Sequence, residues 1–310
     1  MAGQATADPP IVSSAFTLNQ VEDHIKMAES QIADIRPGLE KSIIWAGTPN
    51  RRTRYAIVYI HGFSASKEEL RPVPDMIAAS LGANIFYTRL TGHGRTADAM
   101  REASVSAWMQ DLAEAFEIGT TIGDKVIILS CSTGGTLVAA GIAKGVFSEK
   151  LFSTVFFSPN FGVQDQLATL LTWPLARFWA PFIGGEMRTS TPRNKLHARY
   201  WTTSYPTLSL IPMMQLIDQV DSDDMGQSTM PALFYFSPDD KVVDPQKTEN
   251  FIARWVGPKE IIRINGNDSE DELNHLITGH VVSPSQIKRA ADTVMNWHDQ
   301  ITANRQPTEP

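Results

Sequence analysis

The chain of 310 residues is long enough to bury a large core in one domain, or in a domain with a sizeable insertion. Its 42% hydrophobic and 20% charged residues are typical of a soluble globular protein, and the formal net charge of −7 argues against a nucleic-acid partner. The single cysteine, Cys131, excludes an internal disulfide and no secretory signal is evident, so the expected localisation is cytoplasmic.

Hydrophobic patterning predicts strands that alternate with helices through most of the chain. Helices are predicted at residues 18–34, 67–81, 104–123, 247–255 and 285–301. Strands are predicted at residues 42–46, 55–60, 83–88, 126–129, 151–157, 232–236 and 260–264. This alternation favours an α/β fold, in which a mostly parallel central sheet has helices on both faces. The core would comprise residues 17–159 and 230–303, between loose tails at residues 1–16 and 304–310.

Residues 160–229 interrupt the alternation. They combine aromatic, leucine and methionine residues with five prolines, at positions 174, 181, 192, 206 and 212. A structureless loop of this length is uncommon inside a compact domain, so the segment is predicted to be an inserted cap of short helices with an apolar underside. The alternative is a helical subdomain that packs only for stability.

The segment Ser130-Cys131-Ser132-Thr133-Gly134-Gly135 follows a β-branched apolar run and precedes an alanine-rich run. A strand, a sharp turn and a helix in this order are typical of the G-x-S-x-G turn of serine hydrolases, with Ser130 in place of the first glycine. Small residues two positions before and after the nucleophile allow the sharp turn, and this register favours Ser132 over Cys131. The alternative is a Ser/Gly loop without catalytic function.

A serine nucleophile requires a base, and the base requires a carboxylate that orients it. Aspartates 239, 240 and 244 follow the predicted strand at residues 232–236, and histidines 275 and 280 follow the last predicted strand. The order Ser, Asp, His along the chain is that of the α/β-hydrolases. Further upstream, His61-Gly62-Phe63 follows the strand at residues 55–60, and Thr91-Gly92-His93-Gly94-Arg95 follows the next strand.

Taken together, these motifs resemble the α/β-hydrolase superfamily over about residues 43–301, in particular the serine-aminopeptidase-like branch with monoacylglycerol lipases and carboxylesterases. The resemblance implies that Ser132 is the nucleophile and that the N–H groups of Phe63 and Thr133 form the oxyanion hole. It implies Asp240 as the acid, because the family's carboxylate lies two residues before the paired apolar residues.

The resemblance also selects a base, although the pattern His-apolar-apolar fits two histidines. His275 is favoured over His280, because Gly279 and the sequence Ser283-Pro284 follow it at the spacing of related esterases.

The expected protein is therefore a carboxylesterase or lipase-like serine hydrolase with an α/β-hydrolase fold. It would cleave esters with apolar acyl groups, either short- to medium-chain esters or monoacylglycerol, through an acyl-enzyme. Two alternatives remain: a low-turnover small-molecule receptor on the same fold, and a prolyl-type aminopeptidase, whose substrate amine could bind aspartates 218, 221, 223 and 224.

No cofactor is expected, because the histidines lack zinc-site spacing and no phosphate-binding glycine loop follows the first strand. The uncharged run at residues 126–143 could suggest a transmembrane segment, but its centre holds Ser, Thr and Gly. It is interpreted as the strand, turn and helix described above. The sequence does not predict the oligomeric state.

Overall fold

The computed structural model describes residues 16–173, 175–223 and 228–305. Its strands are β1 (Ser42–Ile44), β2 (Thr53–Ile60), β3 (Asn84–Tyr87), β4 (Gly123–Cys131), β5 (Leu151–Phe157), β6 (Met187–Thr189), β7 (Ser204–Pro206), β8 (Ala232–Phe236) and β9 (Lys259–Arg263). Its helices are α1 (Val21–Ser30), α2 (Val73–Leu81), α3 (Val105–Ile122), α4 (Thr133–Ala143), α5 (Ala176–Gly184), α6 (Lys195–Tyr200), α7 (Leu210–Ser222), α8 (Pro245–Arg254) and α9 (Ile287–Ala303). Of the tails predicted at residues 1–16 and 304–310, residues 1–15 and 306–310 lie outside the described residues, and Phe16 is buried with an exposed fraction of 7%.

The main sheet of the described chain has seven strands in the order β1-β3-β2-β4-β5-β8-β9. β1 pairs with β3 in the antiparallel direction, and the other neighbouring pairs are parallel. The predicted mostly parallel sheet is therefore confirmed. Because the parallel strands end at the same edge, the loops that follow β2, β4, β5 and β8 converge there.

Alternate residues of β2 belong to two separate hydrophobic cores. Ala56, Val58 and Ile60 pack in the core that contains Trp108 of α3 and Leu137 of α4. Tyr55, Ile57 and Tyr59 pack in the core that contains residues of α2 and α9. A strand buried on both sides shows a continuous apolar run, which is what residues 55–60 have. Helices on both faces of the sheet, as predicted, are thus confirmed.

The prediction of one helix over residues 67–81 is wrong for residues 67–72. Lys67–Glu69 form a 3-10 turn, and α2 begins only at Val73. Pro72 lacks a backbone N–H and disfavours helical backbone at the residue before it, so a continuous helix cannot pass through this point. The break leaves Glu69 buried, with an exposed fraction of 3%.

The segment between β5 and β8 contains more than the short helices predicted for residues 160–229. Besides α5, α6 and α7 it holds an antiparallel pair formed by β6 and β7. α7 packs its apolar side chains into the core of α3 and α4, whereas Phe178, Phe182 and Ile183 of α5 are 57–90% exposed. The role of this segment as a cap stays a prediction.

Candidate active site

Ser132 lies in the turn between β4 and α4, with backbone angles φ 50° and ψ −121°. A positive φ at a residue other than glycine is strained and persists only where the surroundings enforce it. Here the Ser132 N–H donates to the Phe157 carbonyl at 3.0 Å, and the Ser132 carbonyl accepts from the N–H groups of Gly135 and Asn160. These bonds hold the serine above the carboxyl edge of the sheet.

Gly134 and Ser130, the small residues two positions after and before Ser132, are small for different structural reasons. A Cβ atom at Gly134 would lie 2.4 Å from the Ile60 carbonyl oxygen and 2.6 Å from that of His61. Only glycine therefore lets the start of α4 approach the end of β2 this closely. Ser130 is fully buried, and its hydroxyl donates to the Val155 carbonyl at 3.1 Å. That hydrogen bond satisfies the hydroxyl where the motif usually has glycine.

The structure brings Ser132, His275 and Asp240 into one chain of hydrogen bonds. Ser132 Oγ lies 3.1 Å from His275 Nε2, and His275 Nδ1 lies 2.7 Å from Asp240 Oδ2. Asp240 Oδ1 accepts from the N–H groups of Val242 and Val243, at 2.7 and 2.9 Å. The Asp240 carboxylate is thus fixed by its own turn and leaves one oxygen for the imidazole.

The other histidine and aspartates considered for the base and the acid have different partners. His280 Nδ1 lies 2.7 Å from the carbonyl of Arg71. Asp239 accepts from the Gly266 N–H, and Asp244 accepts from the Gln246 N–H at the start of α8. Burial raises the pKa of the Cys131 thiol well above its usual value, so this side chain stays an unreactive thiol.

The loop that follows β2 carries Phe63, which lines a cavity together with Ser132 and Thr133. His61 fixes this loop, because its Nε2 accepts from the Leu90 N–H at 3.1 Å and its Nδ1 therefore donates to the Gly62 carbonyl at 2.9 Å. Burial lowers the pKa of His61 to about 4, which keeps the ring neutral. The His93 ring contacts those of both His61 and Phe63.

Glu69 lies behind the same loop and was missed by the sequence analysis. Its Oε2 accepts from the Gly62 N–H at 2.8 Å and from the Tyr59 hydroxyl at 2.9 Å. Burial raises the pKa of Glu69, although these two donors oppose the rise. The sequence places Glu69 inside a predicted helix and gives no sign that its side chain is buried. Its burial follows from the break in that helix, which leaves residues 67–69 as a 3-10 turn.

The cavity above Ser132 has a volume of about 290 Å³. One group of its lining residues is apolar: Val163, Leu210, Met213, Val242 and Leu276. A second group is polar and comes from the inserted segment: Ser190, Thr191, Arg193, His197 and Thr203. Trp201 also lines the cavity and is 6% exposed, whereas Trp173 is 62% exposed and lies outside the lining.

Three carboxylates control the charge of His275. Burial by itself lowers the pKa of His275, but Asp240, Glu69 and Asp271 together outweigh burial and leave that pKa above its usual value. Asp271 was not singled out by the sequence analysis, although it lies only four residues before the histidine.

Of the acidic residues suggested as partners for a substrate amine, Asp218, Asp221 and Asp223 do not line the cavity. Asp218 is exposed, and Asp221 lies near Arg254 and Lys247 at the end of α7. Asp223 is also absent from the lining, and Asp224 lies outside the described residues.

Among the described residues, no three His, Cys, Asp or Glu side chains are grouped closely enough to hold a metal ion. None of the helices in these ranges is sufficiently long and apolar to cross a lipid bilayer.

The parallel sheet, with the serine turn after β4 and the histidine loop after β9, defines an α/β-hydrolase fold. The sequence model of the family described as serine aminopeptidase, S33, matches residues 51–266. This is more than half of the chain, so the protein belongs to that family, and the predicted branch of the superfamily is confirmed.

Solved structures of lipolytic enzymes share the fold at low sequence identity. A chain from the metagenome-derived lipolytic enzymes LipS and LipT has a TM-score of 0.65 and 18% identity, over 86% of this chain and 99% of that one. A monoglyceride lipase from Saccharomyces cerevisiae has a TM-score of 0.64 and 15% identity, over 84% and 91%. The monoacylglycerol lipase of Paleococcus ferrophilus has a TM-score of 0.62 and 13% identity, over 84% and 97%. No curated protein matches the sequence.

Proposed function

We propose that this protein is a serine esterase that cleaves carboxylic esters with short- to medium-chain apolar acyl groups through an acyl-enzyme. The observation that carries the proposal is the chain of hydrogen bonds from Ser132 through His275 to Asp240, placed at a cavity. A nucleophile, a base within hydrogen-bond reach and a carboxylate that orients the base together favour acyl transfer.

In the proposed mechanism, Ser132 Oγ attacks the ester carbonyl while His275 Nε2 takes its proton. Asp240 holds the Nδ1–H and stabilises the imidazolium that forms. The N–H groups of Phe63 and Thr133 bind the oxyanion, and His275 then protonates the leaving alcohol. Water attacks the acyl-enzyme by the same route in reverse.

The lining of the cavity supports an apolar acyl group. Its volume of about 290 Å³ is at the small end for ligand pockets, and residues such as Val163, Leu210 and Met213 supply apolar contacts. The inserted segment contributes Leu210, Met213 and Trp201, which supports its role as a cap that selects the acyl chain. The three relatives named above are lipolytic enzymes, which is consistent with this substrate class.

An ester is favoured over a peptide with a free amino terminus. Among the described residues, Glu69 is the acidic residue that lines the cavity, and its Oε2 already accepts from the Gly62 N–H and the Tyr59 hydroxyl. A substrate ammonium group would therefore compete with these two donors for a carboxylate that is only 3% exposed.

The test is hydrolysis of p-nitrophenyl esters from acetate to decanoate by the wild type, Ser132→Ala, Trp201→Ala and Trp173→Ala. Ser132→Ala should lose on the order of 10⁴-fold or more in kcat, because the triad acts as a unit. Trp201→Ala should shift the preferred acyl length upward because it enlarges the cavity, and the exposed Trp173 serves as the matched control.

Several results would contradict the proposal. A folded Ser132→Ala variant with near-normal ester turnover would remove the nucleophile, and faster cleavage of prolyl p-nitroanilide than of any ester would favour the aminopeptidase. Binding of an ester without turnover would favour a receptor. An unchanged chain-length ranking in Trp201→Ala would leave the inserted segment without a part in selecting the acyl group.

A further inference from the structure

The carboxylate of Asp271 closes the turn that carries His275. Its Oδ2 accepts from the backbone N–H groups of His275 at 3.0 Å and Leu276 at 2.7 Å, and its Oδ1 accepts from that of Leu273 at 3.1 Å. The residue is 2% exposed. Three backbone donors on one carboxylate leave this turn little freedom, so the position of the imidazole depends on Asp271.

Arg193, which belongs to the inserted segment between β6 and α6, meets the same carboxylate. Its Nη1 lies 2.9 Å from Asp271 Oδ2, and its side chain is 24% exposed against 0% for Asp271. A buried carboxylate without a cation would be costly, so the guanidinium compensates a charge that the histidine turn requires. Arg193 also lines the cavity.

The same part of the inserted segment contacts both loops that border the cavity. Asn194 Nδ2 donates to the Val281 carbonyl at 2.6 Å, in the loop that continues from His275. The Thr202 N–H donates to the Ser64 carbonyl at 2.7 Å, next to Phe63. Residues 190–205 therefore connect the loop after β2 with the loop after β9.

We propose that Asp271 and Arg193 are positioning residues, through which the inserted segment holds the turn of His275 at hydrogen-bond distance from Ser132. The proposal rests on the proposed esterase function for its kinetic consequences, but its geometric content concerns His275 itself. The inserted segment thus supports the base as well as bordering the cavity.

The charges predict opposite effects of the two residues on His275. The carboxylates that act on the imidazole are Asp240, Glu69 and Asp271, and Arg193 pairs with Asp271. Removing the negative charge of Asp271 lowers the pKa of His275, whereas removing the positive charge of Arg193 raises it. Because the base acts in its neutral form, the acid limb of kcat/KM should move to lower pH in the first case and to higher pH in the second.

The test compares Asp271→Asn, Asp271→Ala, Arg193→Gln and Arg193→Lys in the full chain. The matched controls are Asp268→Asn and Arg289→Gln, which break an ion pair of 3.0 Å whose side chains are 36% and 49% exposed. The measurements are pH profiles of p-nitrophenyl butyrate hydrolysis, the rate of fluorophosphonate labelling of Ser132, the melting temperature and the pKa of His275 by NMR.

Asp271→Ala should lower kcat about 10- to 100-fold with a smaller change in KM, because a displaced base costs rate more than binding. Asp271→Asn keeps an acceptor for the His275 and Leu276 N–H groups and should mainly shift the acid limb downward. Arg193→Gln should shift the acid limb upward, and Arg193→Lys should restore part of the change.

Two results would overturn the inference: pKa values of His275 that do not move in opposite directions, or a fall in activity matched by the Asp268 and Arg289 controls. A loss of melting temperature alone, with an unchanged profile, would reduce the pair to a structural role. The NMR readout needs no turnover, so failure of the esterase proposal leaves this test intact.

Discussion

At the scale of single residues, two histidines with the same sequence pattern have different surroundings. His275 is 7% exposed and lies between Ser132 and Asp240. His280 lies instead at the end of the loop before α2, where its Nδ1 donates to the Arg71 carbonyl at 2.7 Å and its Nε2 lies 3.7 Å from Glu68. One imidazole therefore lies within reach of a serine proton and the other does not.

We therefore expect His275→Ala to stop acyl-enzyme formation almost completely, because Ser132 loses its proton acceptor. His280→Ala should cost about tenfold or less, the scale of one lost hydrogen bond. The rate of fluorophosphonate labelling measures this step directly. Loss of labelling in His280→Ala, with labelling preserved in His275→Ala, would move the base five residues along the chain.

At the scale of elements, the position of Ser132 depends on a close approach between α4 and β2. The start of α4 lies against the last carbonyl groups of β2, at a distance that only Gly134 permits. The same approach places Ser132 beside the loop that follows β2. A change in this contact should therefore alter both stability and turnover.

Gly134→Ala tests this contact, because the new methyl group would force α4 away from β2. We expect a loss of about 1–3 kcal/mol in the free energy of unfolding, as for other overpacked sites, together with a marked fall in kcat. Urea unfolding and ester hydrolysis measure the two effects. Gly47→Ala is the control, since nothing lies within 4 Å of a Cβ atom there. Equal effects of the two substitutions would contradict the argument.

Long elements that are buried on both faces, or on one face only, could be predicted from the sequence. The strand at residues 55–60 and the helix at residues 104–123 correspond to β2 and α3 within a few residues, because burial on both faces or on one face leaves a regular pattern. The pair β6 and β7 was not predicted. Its strands have three residues each, too few for an alternating pattern to emerge.

The residues at the site also divide into those with a local sequence pattern, which could be predicted, and those without one. Ser132, Asp240 and His275 could be selected because each follows a strand in a recognisable local pattern, and the structure places them together. Arg193 could not, because it lies 78 positions before its partner Asp271 in the sequence and in a different loop. A contact of that kind leaves no periodicity and no motif in a single sequence.

At the scale of the whole molecule, the chain returns repeatedly to one edge of the sheet. The loops after β2, β4 and β8 are brought together by parallel pairing, whereas the inserted segment must be attached to them by side chains and by isolated backbone bonds. The core is specified by burial. The inserted segment is attached in two ways, because α7 packs its apolar side chains into the core of α3 and α4 while residues 190–205 also contact the loops through polar bonds.

The buried neutral rings of His61 and His93, next to the Phe63 loop, make folding stability depend on pH. The pKa of His61 is about 4 in the folded state and near 6.5 in the unfolded chain. As pH falls through this window the unfolded state takes up the proton first, so folding stability decreases, by up to about 3 kcal/mol for a shift of this size. Burial lowers the pKa of His93 and acts in the same direction, while His275, whose pKa is raised, partly offsets the loss.

We expect the urea midpoint of the wild type to fall between pH 7 and pH 5, and to fall less in His61→Gln, which has no ring to protonate. An equal decline in both proteins would contradict this origin. Acid would then inactivate the protein by shifting its folding equilibrium, even where the hydrogen bonds at Ser132 are intact in every folded molecule.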